Sequence, residues 1–276
     1  MDAFLEQILD FRRQRYEPPA SEGIRTMEEM LAFINEVGFC LFSYIPGVEL
    51  PALARVVCQD EPPDTWGWKD SLPAARQVFY GAVYHPEARW AARPGFISLS
   101  MLPALYSLAP ILQFGGDRSL LHRYTGISQE AVNIADVLES EGPLPTRQLR
   151  KSTGMDGKAN GTRFTRALTE AQEHFLVTKI GITSITRANY GYVWSVFEGV
   201  FPEAARQAET IREDAAAEAI LHQYVQTACA VPVERIAAML SLDLQLLERA
   251  AARLVEQGVL RIVTIDEVRY LTGLSL

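Results

Sequence analysis

Ser128-Gln-Glu-Ala-Val-Asn-Ile-Ala-Asp-Val-Leu138, Gly142-Pro-Leu-Pro-Thr-Arg-Gln-Leu-Arg150 and Asn160-Gly-Thr-Arg-Phe-Thr-Arg-Ala-Leu168 follow one another in this chain. Two β-rich runs close the set around Arg187-Ala-Asn-Tyr-Gly191. Ser128 is placed to cap a helix whose Ala131, Ile134, Ala135 and Leu138 share one face, and Gly142 ends it. Thr146 is expected to cap a second helix with Leu149 inward. A third helix is predicted over 160–174, because Phe164, Leu168, Ala171 and Phe175 recur at helical spacing. Residues 176–182 and 190–197 alternate as strands do, with a tip at 184–189. Helix, helix, helix, strand, tip, strand is the plan of a winged helix-turn-helix, which commonly sets one helix in the DNA major groove.

Charge supports that direction. Segment 147–187 holds eight basic and three acidic residues, a net of +5 in a chain of net charge -8. The basic residues fall on the second helix, the third helix and the hairpin. Arg147, Arg150, Lys151, Lys158, Asn160, Thr162, Arg163, Arg166, Lys179 and Arg187 are therefore the candidate DNA contacts. Arg187, at the tip, is placed to enter a minor groove. Tyr190, Tyr192 and Trp194 lie on one strand face and are expected to pack on a neighbouring domain.

The same order recurs downstream. Helical patterns over 212–230, 233–240 and 244–257 precede β-rich runs at 259–264 and 268–271. From residue 212 on there are six basic and nine acidic residues. This second winged helix is a poor phosphate binder and is expected to act as an interdomain or homodimer module.

The first 127 residues read as an α/β region. An amphipathic helix is predicted over 2–16, with Arg12, Arg13 and Arg15 in its last turn, read as a solvated end. Thr26-x-x-Glu29 is a capping box ahead of Met30, Leu31, Ile34 and Val37, and Gly38 stops that helix. Strands are predicted over 76–84 and 96–99, then a helix over 101–109 capped by Ser100. The pattern Thr65-Trp-Gly-Trp-Lys-Asp70 admits two readings. Trp66 and Trp68 could stack on bases while Lys69 holds a phosphate. Alternatively the indoles anchor a small core, with Lys69 and Asp70 paired at its rim, and this packing reading is the expectation. The predicted class is thus mainly α with small β-hairpins (α+β). It has an N-terminal α/β region (1–127), a basic winged helix (128–202) and an acidic one (203–276).

Several function classes are excluded or unsupported. The most apolar run, 101–114, is broken by two prolines and too short to span a bilayer, so no membrane partner is expected. Cys40, Cys58 and Cys229 show neither metal spacing nor a disulfide framework, which fits a reducing cytoplasm. His85 and His122 stand alone, so no metal is expected. No His-Glu-x-x-His, Gly-x-Ser-x-Gly or P-loop occurs, and no cofactor is implied.

Asn35-Glu-Val-Gly-Phe39, Asp64-Thr-Trp-Gly-Trp-Lys-Asp70 and Phe79-Tyr-Gly81, ahead of the two predicted winged helices, give the chain a resemblance to a known group. It resembles the bacterial AlkZ-related proteins, within the superfamily of AlkZ/YcaQ-type DNA glycosylases. The resemblance implies the architecture and an expectation of double-stranded DNA as partner. Those glycosylases carry a Gln-x-Gln catalytic motif, which this chain lacks; Gln223 and Gln226 are one residue too far apart. No catalytic residue is carried over. Three readings stand: a non-catalytic DNA-binding protein first, a divergent glycosylase acting on damaged bases second, and a scaffold or ligand sensor without DNA binding third.

Overall fold

The computed structural model describes residues 2–86, 92–184 and 190–274. Helix α1 (Ala3–Tyr16) starts at Asp2, whose carboxylate accepts from the Phe4 amide. Its apolar face docks on the far end of the chain, with Ile8 packed against Cys229 and Ala230. Arg12 does not sit in a solvated end. Its Nε and Nη2 donate to the Ala228 and Ala230 carbonyls, each at 2.8 Å. The Ala228 carbonyl is at the end of a helix, where it has no intrahelical partner, and Ala230 begins the strand that follows. Arg15 stays exposed and donates to Glu36 at 2.5 Å. Helix α2 (Met27–Val37) opens with the capping box of Thr26 and Glu29 and closes at Gly38. Gly38 has φ 72°, and a Cβ there would lie 2.6 Å from the Gln223 side chain, so both backbone and packing require glycine.

Strand β1 (Phe39–Leu41) follows directly. After α3 (Leu53–Val56) and α4 (Thr65–Ala74) come β2 (Val78–Tyr84) and β3 (Arg93–Ser98). The three strands form an antiparallel sheet in the order β1-β3-β2. Ser100 is not a helix cap. Its hydroxyl pairs with that of Ser98 at 2.9 Å, and α5 (Leu102–Ser107) begins at Met101 with Pro103 in its first turn. Short helices α6 (Pro110–Gln113) and α7 (Leu121–Thr125) lead to the middle of the chain.

There α8 (Gln129–Glu141), β4 (Leu144–Pro145), α9 (Thr146–Ser152), α10 (Gly161–Glu173), β5 (Val177–Ile182) and β6 (Tyr192–Val196) succeed one another. Their sheet is antiparallel in the order β4-β6-β5. Ser128 caps α8, accepting from the Ala131 amide. Thr146 does not cap α9, which has the extended Pro145 at its N-cap. The Thr146 hydroxyl instead donates to the Tyr192 carbonyl at 3.0 Å and accepts from Trp194 Nε1 at 2.9 Å, tying the start of α9 to β6. After α11 (Phe197–Val200) and α12 (Pro202–Ala208), the order repeats with α13 (Glu213–Ala228), β7 (Ala230–Val231), α14 (Val233–Leu240), α15 (Leu244–Glu256), β8 (Leu260–Ile265) and β9 (Val268–Gly273). This sheet is again antiparallel, in the order β7-β9-β8. The protein is α+β, mostly helical, with three small sheets. No described helix is long and apolar enough to cross a membrane.

The largest apolar core joins the first sheet to both later helical segments, while α2 and α4 pack in a second cluster and α1 in a third. Phe39 and Tyr84, Phe164 and Phe197, and Tyr224 and Leu271 belong to a single buried cluster. Phe79 of β2 packs against Phe175, Phe197 and Phe201, and Tyr106 stacks on Phe197 at 4.4 Å between ring centres. The His85 amide donates to the Met239 carbonyl. Beside it, Glu173 at the end of α10 lies 3.9 Å from His85 Nε2, with Glu170 as a charged neighbour. Burial, then Glu170, pushes the Glu173 carboxyl up to about 7. The folded protein therefore holds a proton that the unfolded chain has lost between about pH 4.3 and 7, and stability falls as pH rises through that window. Burial lowers both His85 and His174, which works in the opposite sense. Glu173→Gln is expected to raise the melting temperature at pH 8 and to leave it unchanged near pH 4. Melting curves of the two proteins at those pH values check this.

Candidate nucleic-acid interface and a buried lysine pair

Helices α9 and α10 bring most of the sequence candidates together. Arg147 and Lys151 lie on α9, Lys158 on the 3-10 turn Lys158–Asn160, and Thr162, Arg163 and Arg166 on α10. Phe164, Ala167, Leu168 and Ala171 face the core, which leaves Thr162 and Arg166, one helical turn apart, exposed together. Arg147, Lys151, Lys158 and Arg166 are exposed and make no side-chain hydrogen bond or ion pair among the described residues. Asn160 precedes α10 without bonding a helix amide through its side chain.

Other candidates have structural duties. Arg150 is half-buried. It donates to the Met155 and Gly157 carbonyls at 3.4 and 3.0 Å and sits over the Phe164 ring, so it holds the turn between α9 and α10. Arg163 remains exposed but is paired with Glu130 at 2.5 Å. Arg187 lies outside the described residues.

Lys179 is a correction. Its side chain is 1% exposed, so it cannot meet a phosphate. Strand β5 explains why: Val177 and Lys179 share one face, and Val177 points into the core. The Lys179 ammonium donates to Asp70 and to the Lys69 carbonyl, the latter at 3.1 Å. Lys69 is equally buried and lies 3.1 Å from the same Asp70 oxygen. It also donates to the Tyr190 and Tyr192 hydroxyls at 2.7 and 2.9 Å. The Tyr190 hydroxyl in turn donates to Asp70 at 3.1 Å. Aromatic faces close the cluster: Lys179 lies over Tyr192 and Tyr80, and Lys69 over Trp66 and Tyr192. These contacts stabilise a desolvated ammonium. Tyr190 and Tyr192 thus pack on the N-terminal region, whereas Trp194, expected to do the same, donates to Thr146 within its own segment.

Two ammoniums share one carboxylate here, and the electrostatics follow. Burial pulls the Lys179 ammonium down to about 8, with Lys69 pushing the same way and Asp70 resisting. Burial also pushes the Asp70 carboxyl up. The hydrogen bonds and charges of Lys179, then Lys69, outweigh that and hold it below the usual carboxylate range.

Trp66 and Trp68 part company. Helix α4 is capped by Asp64, which accepts from the Gly67 amide, so residues two apart point to different sides. Trp68 packs on the buried cluster of Met30, Ile34 and Leu72. Trp66 is 65% exposed, touching Phe42 by its edge and covering Lys69. The expectation that both indoles are core residues fails for Trp66. Trp66→Ala is expected to cost about 1 kcal/mol, the scale of an exposed cation–π contact. Trp68→Ala should cost about 3 kcal/mol, since it removes packed surface. Urea unfolding of the two variants separates them; equal losses would refute the assignment.

Among the described residues, no group of three histidine, cysteine, aspartate or glutamate side chains could hold a metal ion. The family model described as AlkZ related matches residues 24–241. The chain belongs to the AlkZ-related family. No curated protein and no solved structure matches it. The AlkZ-related match runs from just before α2 to the end of α14, so it includes the cationic helices and both buried lysines. Helix α1 and the β8–β9 hairpin lie outside it.

Proposed function

We propose that this AlkZ-related protein binds double-stranded DNA through α9 and α10, and that it does so without glycosylase chemistry of the Gln-x-Gln kind. One observation carries the reading: four exposed cations without partners among the described residues gather on two consecutive helices and the turn between them, in a chain of net charge -8. Free cations can release counterions from DNA, whereas a paired one first has to give up its carboxylate. The order of elements supports treating 128–202 as a winged helix with α10 as the major-groove helix. Residues 203–276 form a second winged helix in the same reading, with an interdomain role. Its α13 supports this, since Tyr224 packs on Phe39 and Gln223 donates to the Glu36 carbonyl. The family's relation to DNA repair glycosylases and the cytoplasmic setting expected from the cysteines belong to the same proposal.

The test is binding to a plain duplex at several salt concentrations. Four phosphate contacts give a slope of log K against log salt of about -3 to -4. A slope near zero, or no binding at 50 mM salt, refutes the reading.

A second reading, base release by a divergent glycosylase, draws on Asp70. The exposed ring of Trp66 is a surface on which an extruded base could stack, with the ionised Asp70 carboxylate beside it. Release of methylated base by the wild type, abolished in Asp70→Asn without unfolding, would establish it.

A further inference from the structure

A cavity of about 320 Å³ opens between α1 and the segment 44–55. None of its lining residues belongs to α9 or α10, so it stands apart from the proposed DNA surface. We infer that it binds a small anion carrying a flat, partly apolar body, the chemistry of a nucleoside monophosphate.

The charge around the cavity favours an anion. Arg12, Arg13 and Arg55 line it, against Glu17 and Glu49. Glu49 is buried and fully engaged: one oxygen accepts from the Tyr224 hydroxyl at 2.6 Å and the other from Arg235 Nε at 3.0 Å. It is therefore neutralised from behind. Glu17 is exposed. Arg13 shares an exposed pair with Asp10, which competes weakly with a better acceptor. Arg12 spends Nε and Nη2 on backbone carbonyls, and its Nη1 carries no hydrogen bond and is not sealed from solvent. Arg55 makes no hydrogen bond through its guanidinium among the described residues. The cavity thus holds more guanidinium donors than its own carboxylates use, and guanidinium groups match phosphate oxygens.

The walls favour a flat body. The Arg55 guanidinium lies 4.0 Å from the centre of the Tyr44 ring, so one face is stacked and the other is available to a planar ring. Leu9, 43% exposed, and Val48 and Pro51 supply apolar surface beside it. The volume suits one small ligand. The larger cavity, about 580 Å³ beside α12, is lined by Glu198, Glu209 and Glu213 against Arg206, which is already paired with Glu203, and would repel the same anion.

Calorimetric titration of the full chain with adenosine 5′-monophosphate, inorganic phosphate and adenosine tests the inference. Binding should be tightest for the monophosphate and weaker for phosphate or adenosine alone. Arg55→Ala should weaken the monophosphate at least tenfold, and Tyr44→Leu should bring it towards the phosphate level. Both positions are exposed, and unchanged melting curves will confirm that the variants fold. A 5′-phosphorylated single strand, compared with the same strand lacking that phosphate, distinguishes a strand end from a free nucleotide. Arg55-dependent binding of either source supports the site. No binding of either source at millimolar concentration, or equal binding by Arg55→Ala, overturns it. Duplex binding through α9 and α10 uses other residues, so each result stands without the other.

Discussion

Asp70→Ala is expected to destabilise the protein by about 3–5 kcal/mol at pH 7, the range for removing one partner of a buried ion pair. The loss is large because two ammoniums depend on that carboxylate. Lys69 and Lys179 each have side chains only 1% exposed, and Asp70 is the one carboxylate that either meets among the described contacts. Without it, two positive charges face each other in a desolvated space lined by Trp66, Tyr80, Tyr190 and Tyr192. Hydroxyls and ring faces remain, but none carries a negative charge. Adding Lys179→Met to Asp70→Ala should recover part of the stability, because an apolar chain needs no counterion there. Alkaline pH gives a second test with a definite sign. The folded Lys179 loses its proton at about 8, well before an unfolded lysine at about 10.4. Over that window the unfolded chain binds more protons, so stability rises with pH. Removal of Asp70 lowers the lysine further and lengthens the window. The deficit of Asp70→Ala relative to wild type should therefore shrink between pH 7 and pH 10 in urea titrations. A deficit below about 1 kcal/mol, or one independent of pH, would show that this cluster is already solvated.

The same cluster shows where the amino-acid pattern was informative and where it was not. Local signals were legible. Ser128, Thr26 with Glu29, Gly38 and Gly142 end their helices as their chemistry demands, since a cap needs only residues within one turn. The Phe164, Leu168, Ala171 spacing placed α10 with its arginines outward. Long-range pairing was not legible. Lys179 counted as a surface charge because nothing nearby in sequence announces Asp70, more than one hundred residues away. Its alternation with Val177 was a signal, since both share a strand face. Trp66 and Trp68 read as a pair when only their closeness in sequence is considered. The Asp64 cap after two prolines marks a helix start, and on a helix the two indoles cannot face the same core. Arg12 reads as a helix-end charge from its own neighbourhood, yet it bonds carbonyls at the other end of the chain.

The fourfold variant Arg147→Ala, Lys151→Ala, Lys158→Ala and Arg166→Ala is expected to abolish salt-sensitive DNA binding while the protein keeps its melting temperature. All four side chains are exposed and hold no partner among the described residues, so their loss removes no internal contact. Surface changes of this kind fall within about 0.5 kcal/mol. With four phosphate contacts, wild-type affinity should fall about 100-fold between 50 and 200 mM salt, and the variant should show little salt dependence. Arg163 provides the internal control. It shares the α10 surface with Arg166, but Glu130 already holds it at 2.5 Å. Arg163→Ala alone should change the slope by less than Arg166→Ala alone, which should flatten it by about one unit. Glu130→Gln should release the Arg163 guanidinium and steepen the slope. If Arg166 or Thr162 reads a base edge, its replacement should also relax sequence preference, at about 1–3 kcal/mol for the affected base pair. Fluorescence anisotropy on a labelled duplex across a salt series decides among these outcomes. An unchanged slope in the fourfold variant would show that DNA meets another face of the protein.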